Sequence, residues 1–260
     1  MRFVVHRPTE EPATPMDAAQ AAAAQAEKIF AVPHSTRRHQ ARARAMGRFI
    51  EPESWLDIET GHGHFPAVAQ QVHPYTAFDG LDLTGRVEEG RRAGRVEEAH
   101  RGLLADLAPK LAGRYDALSM FHYLERSADP RIELIAARTV LRPGGHLMIE
   151  VPVPQSRYAR VLDKGWIRPE PYHRIPLAAL RRELESLGYT VVATDRREPH
   201  IPFDLTARLA ITLGRIRAAA RLAVPLLAAA ALLDRILAPL VSRTRFSNAY
   251  RVIARRDPAA

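Results

Sequence analysis

Two glycines and two histidines fall within WLDIETGHGHF, residues Trp55 to Phe65, close behind an acid, Asp57. Backbone N–H groups are exposed where a parallel strand hands over to a helix, and Gly61 and Gly63 would let a ligand approach that backbone closely. The stretch admits three chemistries: a nucleotide cradle, a metal site on His62 and His64, or a plain strand-to-helix turn. Two histidines two residues apart, without a third ligand nearby, make a poor metal site, so loop and cap positions account better for His62 and His64. No metal is expected. A dinucleotide fingerprint wants a third small residue at position 66, where this chain has Pro66, which weakens a nicotinamide or flavin reading. Asp82 closes the run FDGLD nineteen positions after Gly63, where a carboxylate can accept hydrogen bonds from both hydroxyls of a ribose. A simple turn or cap role is its alternative. His122, within SMFHYLER, lies at the rim where catalytic groups of an open parallel sheet collect, and an imidazole there can take a proton from a hydroxyl. Its alternative is a hydrogen bond to neighbouring backbone.

These groups need elements to hold them. Strand candidates at Trp55 to Ile58, Thr76 to Leu81, Tyr115 to Phe121 and His146 to Val151 alternate with helix candidates from His64, over Val87 to Val96 and over Pro130 to Leu141. Such alternation predicts an α/β fold with a largely parallel sheet covered on both faces, and RPGG at Arg142 to Gly145 supplies a turn before a buried strand. A helix at Pro176 to Leu187, a strand at Tyr189 to Asp195 and a last strand at Asn248 to Arg256 complete the series. Ahead of it, residues 1 to 15 read as a tail, Met16 to Phe30 as an alanine-rich helix, and Ser35 as the cap of a second helix reaching about Met46. The resulting division is a tail with cap helices over 1–50, a core over 51–200, a helical apolar insert over 201–246, and a final strand over 247–260.

LDIETGHGHF, GLDLT, YDALSMFHYLERSADP and VLRPGGHLMIEVP, in that order and spacing, resemble the successive motifs of class I S-adenosylmethionine-dependent methyltransferases of the small-molecule type. The resemblance covers about Trp55 to Asp195 together with NAYRVIARR. It implies a Rossmann-like seven-stranded sheet with an antiparallel last strand, and S-adenosylmethionine as cofactor over the carboxyl ends of the first two strands. Carried over by position, Asp57 closes the first strand, Gly61 and Gly63 are the turn glycines, and Asp82 with its neighbour Leu83 holds the ribose. The family's usual glycine is replaced by Glu59, so the cofactor's methionine end meets a side chain that either pairs with its ammonium or obstructs it. The third-strand acid that often reads the adenine amino group is missing, which leaves backbone atoms of Leu103 and Leu104 for that work. Phe121 borders the cofactor, and Tyr123 the acceptor.

The segment KGWIRPEPYHRIPLAAL, Lys164 to Leu180, resembles the loop that in many such enzymes carries an aromatic and a histidine over the acceptor. Trp166 and Tyr172 are then expected in the substrate pocket and His173 as a second candidate base, with loop packing as the alternative. Methyl transfer from a sulfonium is a direct displacement, so alignment supplies most of the acceleration and a base is needed only for a protonated acceptor.

Composition narrows the partners. With no cysteine the chain has neither disulfides nor thiolate metal sites, and its N-terminus lacks the apolar run of a secretory signal, so a cytoplasmic protein is expected. The net charge of +9 is carried almost wholly by arginine, since Lys28, Lys110 and Lys164 are the only lysines. Such a charge favours anionic partners, unless it reflects only a high-GC genome that encodes arginine cheaply. The arginines are scattered and not interleaved with aromatics, and SMFHYL replaces the Asn-Pro-Pro-aromatic motif of amino-methylating nucleic-acid enzymes, both against a nucleic-acid acceptor. LAVPLLAAAALL, Leu222 to Leu233, is too short for a membrane span of roughly 20 residues. With the arginines upstream, residues 203–241 suit either a lid or dimer contact, or an interfacial helix on the inner membrane face. The expected activity is methyl transfer to an oxygen of a small hydrophobic or lipid-like acceptor. The rivals are a catalytically silent methyltransferase-like binding protein and a nucleic-acid methyltransferase.

Overall fold

The computed structural model describes residues 38–152, 173–195 and 249–258, with residue 36 and separate positions between 209 and 236. The expected tail, the alanine-rich helix, Ser35, Trp166 and Tyr172 lie outside the described residues, as does most of the insert.

Seven strands form one sheet: β1 (Ser54–Ile58), β2 (Ala77–Asp82), β3 (Ala99–Arg101), β4 (Tyr115–Phe121), β5 (Leu141–Pro152), β6 (Tyr189–Asp195) and β7 (Ala249–Arg256). Their order is β3-β2-β1-β4-β5-β7-β6, with β7 antiparallel to both neighbours and the other pairings parallel. The order runs outward from β1 in one direction and from β4 in the other. The chain reverses between them, which opens a crevice at the carboxyl ends of β1 and β4, the place where open α/β sheets bind ligands.

Helices cover both faces. A helix over 38–46 (α1), α2 (His64–Ala69) and α3 (Arg86–Arg92) come early; α4 (Leu104–Leu107), α5 (Pro130–Val140) and α6 (Leu177–Ser186) follow. Alternation along the strands splits the core. Leu56, Ile58, Leu118, Met120, Leu147 and Ile149 meet Leu134, Ala137, Val140 of α5 and Leu180, Leu184 of α6 on one face. Trp55, Ala117, Met148 and Ile253 meet Ala43 and Met46 of α1 and Phe65 of α2 on the other. Asp129 starts α5 by accepting from the backbone N–H groups of Arg131 and Ile132, with Pro130 at the first helical position.

Three boundaries differ from the sequence expectation. β3 was not among the strand candidates; its AHR carries no apolar run, and it pairs on one side only, with β2. The helix expected over Val87 to Val96 ends at Arg92, where Gly94 turns the chain at φ 66°. RPGG is not a turn outside the strand: β5 begins at Leu141, and the pairing to β4 jumps from Leu141 opposite Tyr115 to His146 opposite Ala117. The four residues form a bulge, with Gly144 at φ 83°.

One buried ion cluster ties α1 to the sheet. Glu150 of β5 accepts from Arg42 Nε at 3.0 Å and Nη2 at 2.5 Å, and from Arg251 Nη2 of β7 at 3.1 Å, with Arg38 Nη2 3.6 Å away. Burial alone would push the carboxyl up, but Arg42, His122 and Arg38 together hold it well below the usual range. The Arg42 guanidinium also lies 4.0 Å above the Phe121 ring, which fixes it over the end of β4.

Candidate cofactor site

At the carboxyl end of β1 the chain enters a left-handed turn: Glu59 has φ 54°, Gly61 φ 57° and Gly63 φ 73°, the last capping α2. A Cβ at Gly61 would meet nothing within 4 Å, so the backbone there faces open space, whereas one at Gly63 would press on Arg95 Cβ at 3.0 Å. Gly61 thus leaves its surface approachable, and Gly63 is required by packing.

Asp82 organises this turn. Its Oδ2 accepts from Gly61 N at 2.9 Å, and its Oδ1 accepts from Thr84 N at 2.8 Å and Thr84 Oγ1 at 2.6 Å. A carboxylate offers about four acceptor positions. Three are used, which leaves about one for a ribose hydroxyl, plus a second if the Thr84 hydroxyl yields. Asp82 itself is buried, while Leu83 and Leu103, just past β2 and β3, are exposed apolar side chains. Leu104 is fully buried, backbone included.

Asp57 sits deeper. Trp55 Nε1 donates to Ser119 Oγ at 3.0 Å, and Ser119 Oγ donates to Asp57 Oδ1 at 2.5 Å. Burial raises the Asp57 carboxyl to about 6, against the opposing pull of Ser119, Thr60 and Arg42. The group therefore braces the floor between β1 and β4.

At the mouth, Glu59 and Arg126 form an ion pair, and Arg126 Nε donates to His122 O at 2.7 Å. Burial pushes the Glu59 carboxyl up while Arg126 pulls it down, with a net rise. His122 stands at φ 58°, just past β4, with Nε2 3.1 Å from Glu150 Oε1 and Nδ1 3.4 Å from Glu125 Oε1. His173 is buried; its N–H donates to Glu125 O at 3.0 Å, and Nε2 lies 3.2 Å from Ala128 O, an acceptor that requires Nε2 to carry the proton. Phe121 packs edge-on against Phe65 at 4.8 Å, and Tyr123 is buried with its hydroxyl raised well above the ordinary range by burial and by Glu133. His62 Nδ1 lies 3.2 Å from Glu89 Oε2, and His64 is the first residue of α2.

The structure therefore brings Asp57, Glu59, Gly61, Gly63, Asp82, Leu83 and Leu103 to one crevice, with His122 at its rim. Four contributors were missed by sequence reasoning: Ser119, Thr84, Arg126 and Glu150. Ser119 and Glu150 did leave a signal, being the polar residues inside the otherwise apolar runs ALSMF and LMIEVP. Thr84 and Arg126 left none, because both act through loops.

A parallel sheet with a glycine turn after its first strand and a ribose-type acid after its second defines a nucleoside-cofactor enzyme fold of the methyltransferase kind. The family model for a methyltransferase domain matches residues 32–194, and the chain belongs to that family. No sequence among the curated proteins matches it. Among solved structures, an S-adenosylmethionine-dependent methyltransferase from Archaeoglobus fulgidus is 18% identical, with a TM-score of 0.56 over 88% of this chain and 96% of its own. An O-methyltransferase family protein from Burkholderia thailandensis is 14% identical, with a TM-score of 0.50 over 86% and 58%. The cyclase SpnF, 16% identical, has a TM-score of 0.56 over 85% and 82%. At such identities the likeness is one of fold.

The cofactor is S-adenosylmethionine, and the residues present fit it. Asp82 keeps acceptor capacity toward the crevice, and Gly61 leaves open backbone beside it. When bound, the cofactor supplies an electrophilic methyl on a sulfonium. The chain's own contribution is to fix the direction of approach, through the glycine turn on one side and the rim after β4 on the other.

Proposed function

We propose that this enzyme transfers the methyl group to an oxygen of a small hydrophobic or lipid-like acceptor. The observation that carries this reading is His122 at the crevice rim, where Glu150 orients the ring through Nε2 at 3.1 Å and a turn of the ring away from Glu125, 3.4 Å from Nδ1, would present a nitrogen to a hydroxyl acceptor. A carboxylate partner orients an imidazole and stabilises the charge it gains on taking a proton, which a hydroxyl acceptor needs and a thioether or tertiary amine does not. His173 is the weaker candidate, because its buried ring is tied to Ala128 O.

Support for an apolar acceptor comes from the end of the chain. Residues 225–230 are helical, and Leu226, Leu232, Leu233 and Ile236 are exposed. The same stretch of sequence carries Arg208, Arg215, Arg217, Arg221 and Arg235. Apolar side chains beside arginines suit a surface of anionic lipid, where burial contributes roughly 1.5 to 3 kcal/mol per large side chain and each arginine about 1 kcal/mol. Among the described residues no helix is long and apolar enough to cross a membrane.

The test is a methylation screen with radiolabelled S-adenosylmethionine against hydroxylated and carboxylated apolar compounds, with and without anionic vesicles. Product on oxygen, increased by the vesicles, supports the reading. Labelling only of nitrogen or carbon acceptors refutes the oxygen assignment, and failure to sediment with anionic vesicles at low salt refutes the lipid contact.

A further inference from the structure

The ion pair at the crevice mouth joins the ends of two neighbouring strands. β1 and β4 are neighbours, with Ile58 opposite Met120. Glu59 is the residue after β1, and Arg126 closes the single 3-10 turn after β4 (Leu124–Arg126). Their side chains thus bridge the two strand ends across the crevice. Both are half exposed, Arg126 at 44% and Glu59 at 37%, so the pair is open to exchange with a ligand and contributes little to stability.

Glu59 is also a costly residue for its backbone. At φ 54° a side chain carries strain that glycine avoids. The turn itself does not need a carboxylate, since Asp82 already receives Gly61 N. Arg126 is held too: its Nε is committed to His122 O, which aims the terminal nitrogens toward Glu59. One anchored cation and one carboxylate, facing each other over a crevice, match the charges of an α-amino acid in reverse order.

We propose that Glu59 and Arg126 clamp the amino-acid end of S-adenosylmethionine, Glu59 taking its α-ammonium and Arg126 its α-carboxylate. Binding exchanges one ion pair for two, and the amino-acid end, being a zwitterion, adds no net charge beside the pair. The arrangement selects a zwitterion: a ligand lacking the carboxylate leaves Arg126 against an ammonium, and one lacking the whole amino acid gains nothing from either residue. The proposal rests on the crevice being the S-adenosylmethionine site.

Calorimetric titration separates the two claims. The ligands are S-adenosylhomocysteine, decarboxylated S-adenosylmethionine and 5′-methylthioadenosine, the last carrying the nucleoside alone. The expected results are these: Glu59→Gln and Arg126→Gln each weaken S-adenosylhomocysteine tenfold or more, and both leave 5′-methylthioadenosine within twofold of the unaltered protein. Arg126→Gln also narrows the preference for S-adenosylhomocysteine over decarboxylated S-adenosylmethionine. Unchanged or tighter S-adenosylhomocysteine binding by Glu59→Gln or Glu59→Gly overturns the clamp and makes the pair a plug, while the cofactor assignment stands. If the unaltered protein and Glu59→Gly both fail to bind any of the three, the cofactor assignment falls and the clamp with it. Retained 5′-methylthioadenosine binding shows that each variant is folded at the site.

Discussion

Replacing Asp82 with alanine tests the ribose assignment and its magnitude together. The carboxylate already accepts three hydrogen bonds, from Gly61 N, Thr84 N and Thr84 Oγ1, so it has room for about one more without rearrangement. A hydrogen bond to a charged group contributes roughly 1.5 to 3 kcal/mol, and about 1.4 kcal/mol is tenfold in affinity. Asp82→Ala is therefore expected to weaken S-adenosylhomocysteine between about tenfold and about a hundredfold. If the Thr84 hydroxyl yields and both ribose hydroxyls bind, the loss is larger. The same substitution strips the acceptor from Gly61 N, so the unliganded protein should also melt earlier. Calorimetric titration measures the first effect and thermal denaturation without ligand the second. Asp82→Asn, which keeps one acceptor oxygen, should fall between the parent and alanine in both. A dissociation constant within twofold of the parent, with melting lowered, would refute the reasoning and leave Asp82 as a turn residue only.

Three further outcomes are expected. Asp57 is raised from 3.8 to about 6, so its ionisation opposes folding: the stability is fully present below 3.8 and is lost as pH rises through about 6. At about 1.4 kcal/mol per pKa unit this is about 3 kcal/mol at neutral pH, and Asp57→Asn should raise the melting temperature at pH 7 and flatten its pH dependence, as followed by circular dichroism. Glu150 shifts the opposite way, so its contribution is present above the unfolded carboxyl range and lost as acid protonates it. Glu150→Gln leaves Arg42 and Arg251 without their buried counter-charge and should destabilise by about 3 to 5 kcal/mol, read from urea unfolding; an unchanged midpoint would mean that α1 is held by packing alone. His122→Ala should lower turnover at least a hundredfold for a hydroxyl acceptor while S-adenosylhomocysteine affinity changes less than threefold, and equal losses in both would assign His122 to cofactor binding.

What the sequence determined was the succession of parallel units. Period and turn chemistry placed β1, β4, β6 and β7 within a residue, because buried strands such as YDALSMF are mostly apolar and α5 carries its own cap in Asp129 and Pro130. Gly61, Gly63 and Asp82 were legible for the same local reason: each serves the backbone at a strand end, so spacing alone reports it. β3 was not legible, since three residues at a sheet edge need no apolar pattern, and the bulge at RPGG was not, since the pairing partner Tyr115 decides where a strand begins. Tertiary structure alone decided the rest of the site. Glu59 and Arg126 are 67 positions apart, Trp55 and Ser119 are 64, and Arg42 and Glu150 are 108. Nothing local in the chain links such partners; only the adjacency of β1 to β4, and of α1 to the face carrying Glu150, brings opposite charges within reach. The sequence could therefore name the departure at Glu59 without saying what it meets, because an ion pair is a property of two positions in space.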